Sequence, residues 1–349
     1  MSGKSWAWAA LNCFPIWLAA TILAFWHGPI ALAADATATP DAFAQNQRLG
    51  RGVNVLGYDP IWKDRQQGRF QEKYFRMLKD AGFNHIRINL HPFRDNKLGA
   101  DNKPSAAWFE TLDWSLRHAL ESRLVVILDF HEFQAMGQDP VGNKPRMMAI
   151  WRQIAEHCKD APADVIFEIL NEPNKKLTAD LWNPMLREAL AIIRQSNPHR
   201  TVIVGPTSWN SIKELDKLEL PEDDRGLIVT VHYYSPFPFT HQGAAFAGLK
   251  DKTGVSWTGS EKEQGAILKD FDKAQAWGRQ HRRPIYLGEF GVYDKAETAS
   301  RVRWTSFVTR QAEQRTWSWA WWQFDGDFVL YDQRHDRWTE PILRALVPK

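Results

Sequence analysis

The stretch Val165-Ile166-Phe167-Glu168-Ile169-Leu170-Asn171-Glu172-Pro173 is the part of the sequence that decides the fold. Its apolar residues are typical of a short buried strand, and the proline predicts that this strand ends there. The amide of Asn171 and the carboxyl of Glu172 therefore lie side by side at the carboxyl end of a strand. Folds with parallel strands bind their ligands at that end, so Glu172 is a candidate proton donor.

Strand-like and helix-like segments alternate from about residue 51 onward, on both sides of this motif. The predicted strands are 52–56, 85–90, 124–130, 165–170, 201–204, 227–232, 284–288 and 317–322. The predicted helices are 70–81, 106–121, 145–159, 179–195, 211–217, 261–280, 296–314 and 341–346. Eight such units in about 300 residues predict an α/β fold, a (β/α)8 TIM barrel that forms a single domain over 49–349. An open doubly wound sheet is the alternative, but no G-x-G-x-x-G motif follows the first strand.

The N-terminus is typical of a secretory signal peptide. Lys4 is the only charged residue before Asp35, a long apolar stretch lies between them, and Ala31-Leu32-Ala33 matches a small-x-small cleavage pattern. We therefore expect a signal peptide over 1–33, a linker and lead-in over 34–48, and a secreted or periplasmic protein without stable membrane association after cleavage. An uncleaved membrane anchor is the alternative, because the apolar stretch is long for a signal peptide.

The charge and the cysteine content argue against two kinds of protein. The 44 basic and 41 acidic residues give a formal net charge of +3 without a Lys/Arg block, so we expect no nucleic-acid partner. Cys13 lies in the predicted signal peptide and leaves Cys158 without a partner, so we expect no disulfide framework. Cys158 is predicted to be a small buried residue on a helix, and the mature chain is expected to be a monomer held together by its core.

Polar and aromatic side chains lie at the ends of most predicted strands. The candidates are Arg87 in the second strand, His131 after the third, Asn171 and Glu172 after the fourth, His232 and Tyr234 after the sixth, Glu289 after the seventh and Trp322 after the eighth. A lone histidine or glutamate at a strand end is usually a structural residue. Six of eight strand ends with such side chains indicate a catalytic cleft instead.

Two of these residues are glutamates, and they end different strands. If Glu172 and Glu289 face each other across the barrel mouth, they form the carboxyl pair that glycoside hydrolysis needs. One carboxyl must be protonated and the other ionised, so their surroundings must separate their pKa values. Arg87 and the Tyr234 hydroxyl would favour ionised Glu289, and its charge would then raise the pKa of Glu172.

At this point the sequence resembles glycoside hydrolase family 5, within the larger clan of (β/α)8 hydrolases with glutamates on strands four and seven. The resemblance covers essentially the whole mature chain and rests on Ile166 to Pro173 and on the strand-end residues named above. It implies a retaining mechanism, with Glu172 as acid/base and Glu289 as nucleophile. It also implies that Asn171 bonds the sugar 2-hydroxyl and that Trp322 forms the platform under the reacting sugar.

Two positions leave alternatives open. Arg87 could instead form a structural ion pair with Glu168 or Asp129, although the alternation along its strand aims it inward. Glu132 departs from the family pattern, because a small residue commonly follows the histidine at His131. A bulkier charged side chain there predicts an altered subsite.

The chain has 18 tryptophans, of which fourteen lie beyond the predicted signal peptide, and most of these fourteen are predicted to lie in the core or between packed helices. Trp209, Trp257 and Trp322 fall in predicted loops or strand ends where ligands bind, and flat aromatic faces stack on pyranose rings. The alternative for Trp257 is that it anchors its loop. The segments 205–210 and 322–325 look more like the cellulase members of the family.

These observations predict a secreted retaining endo-β-1,4-glucanase that hydrolyses a β-linked polysaccharide or oligosaccharide without a cofactor. No H-E-x-x-H motif is present, and we expect no metal. Within the same family, a β-1,4-mannanase or another β-glucanase is the alternative. Outside enzymes, the alternative is a non-catalytic carbohydrate-binding barrel, which the presence of both glutamates disfavours.

Overall fold

Eight parallel strands close into a barrel at the centre of the molecule, in a computed structural model that describes residues 41–95, 98–99 and 101–348. The strands pair in sequence order, and the eighth pairs with the first. They are β1 Arg51–Val55, β2 His85–Leu90, β3 Val125–Phe130, β4 Val165–Glu168, β5 Val202–Val204, β6 Leu227–Tyr233, β7 Ile285–Phe290 and β8 Ser318–Trp321. The prediction of a (β/α)8 TIM barrel is confirmed.

Helices alternate with these strands and cover the outside of the barrel. They are α1 Ala42–Leu49, α2 Lys73–Asp80, α3 Pro92–Asp95, α4 Ala106–Glu121, α5 Phe133–Gln138, α6 Pro140–His157, α7 Ala179–Ser196, α8 Thr207–Asn210, α9 Phe237–Thr240, α10 Glu261–His281, α11 Thr298–Gln314 and α12 Glu340–Leu346. The predicted stretch near 211–217 is a 3₁₀ helix, Ile212–Lys217. The short strands β9 Tyr331–Asp332 and β10 Arg337–Trp338 pair with each other outside the barrel.

Helix α1 covers the amino-terminal end of the barrel. Leu49 is fully buried, and its carbonyl oxygen lies 2.6 Å from Nδ1 of His85, the first residue of β2. Asn46 Nδ2 donates a hydrogen bond of 3.0 Å to the carbonyl oxygen of Ile285, the first residue of β7. The predicted lead-in over 34–48 therefore contains part of a helix that packs on the barrel, which the sequence did not predict.

The inside of the barrel is apolar near α1 and polar toward the other end. The apolar layer contains Val125, Ile127, Ile166, Ile203, Ile228, Tyr286 and Ala320. Arg87, Asp129 and Glu168 follow on β2, β3 and β4, and all three are fully buried. Side chains alternate between the two faces of a strand, so these three point into the barrel like the residues two positions earlier.

The predicted signal peptide over 1–33 lies outside the described residues and stays a prediction. The described residues form one compact unit. Among the residues that the structure describes, no helix is both long enough and apolar enough to cross a membrane. Cys158 is buried at the end of α6, as the sequence predicts.

Candidate active site

Glu172 lies in a tight turn that follows β4. Its φ of +45° is in the left-handed region, which side chains other than glycine rarely adopt. Asn174 Nδ2 donates to the Glu172 carbonyl oxygen at 2.6 Å, and the Trp209 amide donates to the Pro173 carbonyl oxygen at 3.1 Å. These bonds hold the turn so that the Glu172 side chain, only 13% exposed, points into the barrel mouth.

His232 at the end of β6 is the hydrogen-bond partner of Glu172. Asn210 Nδ2 donates to His232 Nε2 at 3.2 Å, which leaves Nδ1 to carry the proton and donate to Glu172 Oε1 at 2.8 Å. Burial, followed by the positive charge of Arg87, lowers the pKa of His232 well below its usual value, so the ring is neutral. Burial and then the charge of Glu289 raise the pKa of Glu172 well above its usual value.

Glu289, near the end of β7, is held by two hydrogen-bond donors. Arg87 Nη1 donates to Oε1 at 2.8 Å, and the Tyr234 hydroxyl donates to Oε2 at 3.0 Å. Burial raises the pKa of Glu289 to about 8, and the Arg87 charge with the two hydrogen bonds opposes that rise. Glu172 has a neutral partner and Glu289 a cationic one, so Glu289 is the first of the pair to ionise.

Gly288 allows β6 and β7 to approach each other beside the nucleophile candidate. A Cβ at this position would lie 2.4 Å from Thr230 Oγ1 and 3.2 Å from His232 Nε2. The pairing of β6 with β7 also shifts register between Val231 and His232, and His232 then pairs with Glu289. Such irregularities re-aim side chains at the rims of barrels.

Arg87 is a buried centre that joins the candidate residues. Its Nε and Nη2 donate to both carboxylate oxygens of Glu168, at 2.7 and 2.8 Å, and Nη2 lies 3.1 Å from Asp129 Oδ2. Nη2 also donates to Asn171 Oδ1 at 2.8 Å, in addition to the Nη1 bond to Glu289. Arg87 therefore forms the structural ion pairs with Glu168 and Asp129 and also pairs with Glu289, so both predicted roles are found in one guanidinium.

Acidic groups outnumber the cation in this buried cluster. Burial raises the pKa of Asp129 to about 6 and that of Glu168 to about 7, although Arg87 opposes both shifts. Burial lowers the pKa of Arg87, but Asp129, Glu168 and Glu289 outweigh it and hold the guanidinium charged. Burial therefore keeps protons on these carboxyl groups at higher pH than in water, and the single charge of Arg87 offsets it only in part.

Asn171 is positioned from both sides of its amide. Its oxygen accepts from Arg87, and its Nδ2 donates to His131 Nε2 at 3.3 Å. His131 Nδ1 in turn donates to Asp129 Oδ2 at 2.5 Å, which fixes the ring tautomer. Trp322 stacks on the His131 ring, with centroids 5.5 Å apart and planes 9° apart, and the Trp322–Gln323 peptide bond is cis.

The three tryptophans expected to meet a ligand differ in position. Trp322 lies in the cleft on His131. Trp209 is 48% exposed. The hydrogen bond from its backbone amide to the Pro173 carbonyl oxygen places it next to the turn that contains Glu172. Trp257 is only 2% exposed and packs on Phe307 of α11, so its prediction as a ligand contact is wrong. Its burial agrees with the alternative that it anchors the loop after β6.

Glu132 has a local partner that the sequence did not predict. One of its oxygens, Oε1, accepts from the backbone amides of Phe93 at 2.5 Å and Arg94 at 3.3 Å, in the helical turn α3. Burial raises its pKa to about 7 against these bonds. Glu132 therefore holds the first turn after β2, the short helix α3, in place through its backbone amides.

The carboxyl groups of Glu172 and Glu289 are close together. One oxygen of each and a ring nitrogen of His232 all lie within 4.8 Å of one another. Such a set could also ligate a metal ion, but the raised pKa of Glu172 keeps a proton on that carboxyl, and His232 Nδ1 is already bonded to it. The expectation of no metal stays a prediction.

The barrel mouth thus brings together all the predicted strand-end residues and leaves Trp257 outside. The sequence missed several residues that touch this set, namely Asn54, Tyr58 and Asn210. Asn54 Oδ1 accepts from Arg87 Nη1 at 2.8 Å, and the inward alternation on β1 could have found it. Tyr58 lies in the loop after β1 and Asn210 at the end of the short helix α8, where the alternation of a strand gives no signal.

Comparison with known proteins agrees with this arrangement. The family model of cellulase, glycosyl hydrolase family 5, matches residues 46–327. Endoglucanase H of Acetivibrio thermocellus is 30% identical over 321 residues, which is 88% of this chain and 33% of that protein. Endoglucanase 3 of Fibrobacter succinogenes is 26% identical over 81% of this chain and 50% of its own length. This chain therefore spans between a third and a half of those two relatives.

Solved structures lead to the same family. Thermotoga maritima Cel5A, in complex with cellobiose, is 38% identical and superimposes with a TM-score of 0.83, covering 88% of this chain and 100% of that one. The same protein in complex with mannotriose gives the same values. The family model alone covers most of the barrel and includes both Glu172 and Glu289. The chain described here belongs to glycosyl hydrolase family 5, the cellulase family.

Proposed function

We propose that this protein is a retaining endo-β-1,4-glucanase. The observation that carries the mechanism is the short distance between the carboxyl groups of Glu172 and Glu289, of which one oxygen each lies within 4.8 Å of the other. Retaining glycosidases hold their two carboxyls about 5–5.5 Å apart, whereas inverting enzymes leave about 6.5–9.5 Å for a water molecule. The observed spacing favours direct attack by one carboxylate.

Protonated Glu172 donates its proton to the glycosidic oxygen while ionised Glu289 attacks the anomeric carbon, and the bond to the leaving sugar breaks. The negative charge that remains on Glu172 is stabilised by His232 Nδ1–H at 2.8 Å. In the second step Glu172 takes a proton from water, the water oxygen attacks the anomeric carbon, and Glu289 leaves as a carboxylate. Arg87 and Tyr234 hold Glu289 in line for both steps.

A β-1,4-glucan is the favoured substrate. Its support is the likeness to two endoglucanases and to a Cel5A solved with cellobiose. A mannan is the second candidate, because the same Cel5A has also been solved with mannotriose. A non-catalytic barrel is disfavoured by the acid pair and by the groups that separate the pKa values of Glu172 and Glu289.

A reducing-end assay on carboxymethyl cellulose, mannan, lichenan and laminarin tests this proposal. We expect the highest kcat/KM on carboxymethyl cellulose, with β-configured product in the first turnovers by NMR. Glu172→Gln and Glu289→Gln should each lower turnover at least about a thousandfold, since each removes a group that acts only in the transition state. Near-normal turnover in either variant would contradict the assigned roles, and α-configured product would contradict retention.

We further propose that the enzyme acts outside the cytoplasm, in the medium or the periplasm. The support is the sequence of 1–33, with its apolar stretch and its Ala31-Leu32-Ala33 pattern. Mass spectrometry of the protein from its own host checks this, with a mature N-terminus expected after Ala33 or Ala34. An intact N-terminus in a membrane fraction would favour the anchor instead.

A further inference from the structure

A cavity lies at the amino-terminal end of the barrel, at the end of the molecule opposite the cleft. Its volume is about 420 Å³, and it lies between α1, the end of α10 and the segments that lead into β6, β7 and β8. Phe43, Ile285 and Trp317 supply an apolar part of its wall. The basic part of the wall consists of Arg225, Arg279, Arg282, Arg283 and Arg315, and none of the described residues that line the cavity is acidic.

Three separate loops bring these arginines together, although no run of the sequence shows a basic block. Arg279 lies in the last turn of α10 and Arg315 at the end of α11, where cations match the negative ends of the helix dipoles. That explanation does not extend to Arg225 before β6 or to Arg282 and Arg283 before β7. The cavity therefore gathers more positive charge than the helix ends require.

Two of the arginines have carboxylate partners, and both of these partners are open to water. Arg315 pairs with Asp272 at 2.6 Å, and the Asp272 side chain is 68% exposed. Arg225 lies 3.8 Å from Glu222, whose side chain is 76% exposed. Ion pairs in water are weak, so they leave both guanidinium groups able to exchange these partners for a ligand.

The other three arginines have no carboxylate partner among the described residues. Arg283 is buried and donates to two backbone carbonyl oxygens that precede β6. The side chains of Arg279 and Arg282 are exposed and form no hydrogen bond or ion pair with the described part of the chain. Burial and then the charge of Arg225 lower the pKa of Arg283, which shows that the positive charges act on one another.

We propose that this cavity binds the phosphate group of an organic phosphate ester, with the apolar part of the ligand against Phe43. Guanidinium groups bind phosphate through paired N–H···O hydrogen bonds, and Arg279 and Arg282 have all their donors available. A soluble ester and the headgroup of a phospholipid both present this group, and the experiment separates the two sources. The cavity lies away from Glu172 and Glu289, so this inference does not depend on the proposed function.

The test uses the full chain, purified from its own host. Isothermal titration calorimetry at low ionic strength, with phenyl phosphate and with inorganic phosphate, tests the soluble source. Sedimentation with vesicles of phosphatidylglycerol tests the lipid source, and neutral vesicles of phosphatidylcholine report any binding by the N-terminal apolar stretch. We expect binding to phenyl phosphate or to the anionic vesicles, and we expect it to weaken as NaCl rises from about 50 to about 500 mM, because salt screens the arginines.

Arg279→Gln combined with Arg282→Gln should lower the affinity at least about tenfold, because it removes two charge-assisted contacts to phosphate. The matched control is Lys262→Gln combined with Lys269→Gln, which removes two charges from exposed positions of the same helix, outside the cavity. Its affinity should stay within about twofold of the wild type, since only distant surface charges are lost. Both double variants should keep kcat/KM on an aryl cellobioside, which shows that they fold.

Phenyl phosphate binding that the arginine variant loses identifies a soluble ester, and loss seen only with anionic vesicles identifies a lipid headgroup. If the wild type binds neither the soluble phosphates nor the anionic vesicles, the inference is wrong. Binding that the arginine variant retains would overturn it as well. Equal losses in the two double variants would also overturn it, because net charge alone would then account for the binding.

Discussion

At the scale of the residue, the ionisation of Glu289 depends on its two hydrogen-bond donors. Arg87 Nη1 at 2.8 Å and the Tyr234 hydroxyl at 3.0 Å each favour the carboxylate, in opposition to burial. The Arg87 charge is also shared with Glu168 and Asp129, so it cannot neutralise Glu289 alone. The tyrosine hydroxyl is therefore a second, separable source of stabilisation.

Tyr234→Phe should shift the acid limb of the pH profile of kcat/KM to higher pH. The hydrogen bond from this hydroxyl lowers the pKa of Glu289, so without it Glu289 ionises only at a higher pH. We expect a shift of up to about one pH unit and a fall in kcat/KM of about ten- to a hundredfold, the range for a bond to a charged group. The measurement is kcat/KM on an aryl cellobioside over a range of pH.

Tyr233→Phe is the control for that variant. Its hydroxyl donates to Asp270 Oδ2 at 3.0 Å, on α10 outside the barrel, so the acid limb should not move. If both variants shifted the limb equally, or if Tyr234→Phe left it unmoved, the bond to Glu289 would not set the ionisation of the nucleophile.

At the scale of the element, α1 is the longest helix that the sequence did not predict, with eight residues. The buried Leu49 and the hydrogen bonds of the Asn46 side chain hold α1 against the amino-terminal end of the barrel and close it. We expect Leu49→Ala to reduce the free energy of unfolding by about 2–5 kcal/mol, because it leaves a cavity under the barrel, with kcat/KM unchanged. Denaturant unfolding and the aryl cellobioside assay measure the two quantities.

Arg48→Ala tests whether that loss is specific to the buried face of α1. Arg48 is exposed and pairs with Asp164 at the surface, so its removal should cost less than about 1 kcal/mol. Equal costs for Arg48→Ala and Leu49→Ala would mean that α1 does not contribute through its buried face.

The strand ends were predictable because parallel strands bring their carboxyl ends to one edge, which places Glu172, His232 and Glu289 together. The loops were not predictable in the same way. Trp257 and Trp209 are both tryptophans in predicted loops after strands, so the sequence predicts the same role for both. The loop of Trp257 folds back on α11, however, and buries the ring. The register shift at His232 depends on the close approach of β6 to Gly288, which no local pattern in the sequence records.

At the scale of the whole molecule, the buried acids make stability depend on pH. The folded pKa of Glu172 lies well above its unfolded value near 4.5, so the folded state keeps a proton that the unfolded state loses. Stability contributed by this group is therefore full at low pH and is lost as the pH rises above 4.5. Glu168, at about 7, and Glu289, at about 8, act in the same direction.

Glu172→Gln should therefore stabilise the fold more at pH 8 than at pH 5. The amide of glutamine does not titrate, so the variant avoids the cost of keeping a proton on Glu172 as the pH rises. We expect the Tm difference between variant and wild type to grow by several degrees over this range, measured by calorimetry.

A Tm difference that is the same at both pH values would contradict a raised pKa for Glu172. Glu214→Gln is a suitable comparison, because Glu214 lies on a surface 3₁₀ helix and pairs with Lys217 at 2.9 Å. Its Tm difference should vary little between pH 5 and pH 8. The same dependence in both variants would point to a general effect of charge.

The position of α1 also sets how the enzyme can be tethered. The described chain starts at Asp41, beside the closed end of the barrel, while the cleft opens at the other end. A bead, a surface or a fused protein attached through the residues before Asp41 would leave the cleft facing outward. An insoluble fibre could then approach the immobilised enzyme without meeting its support.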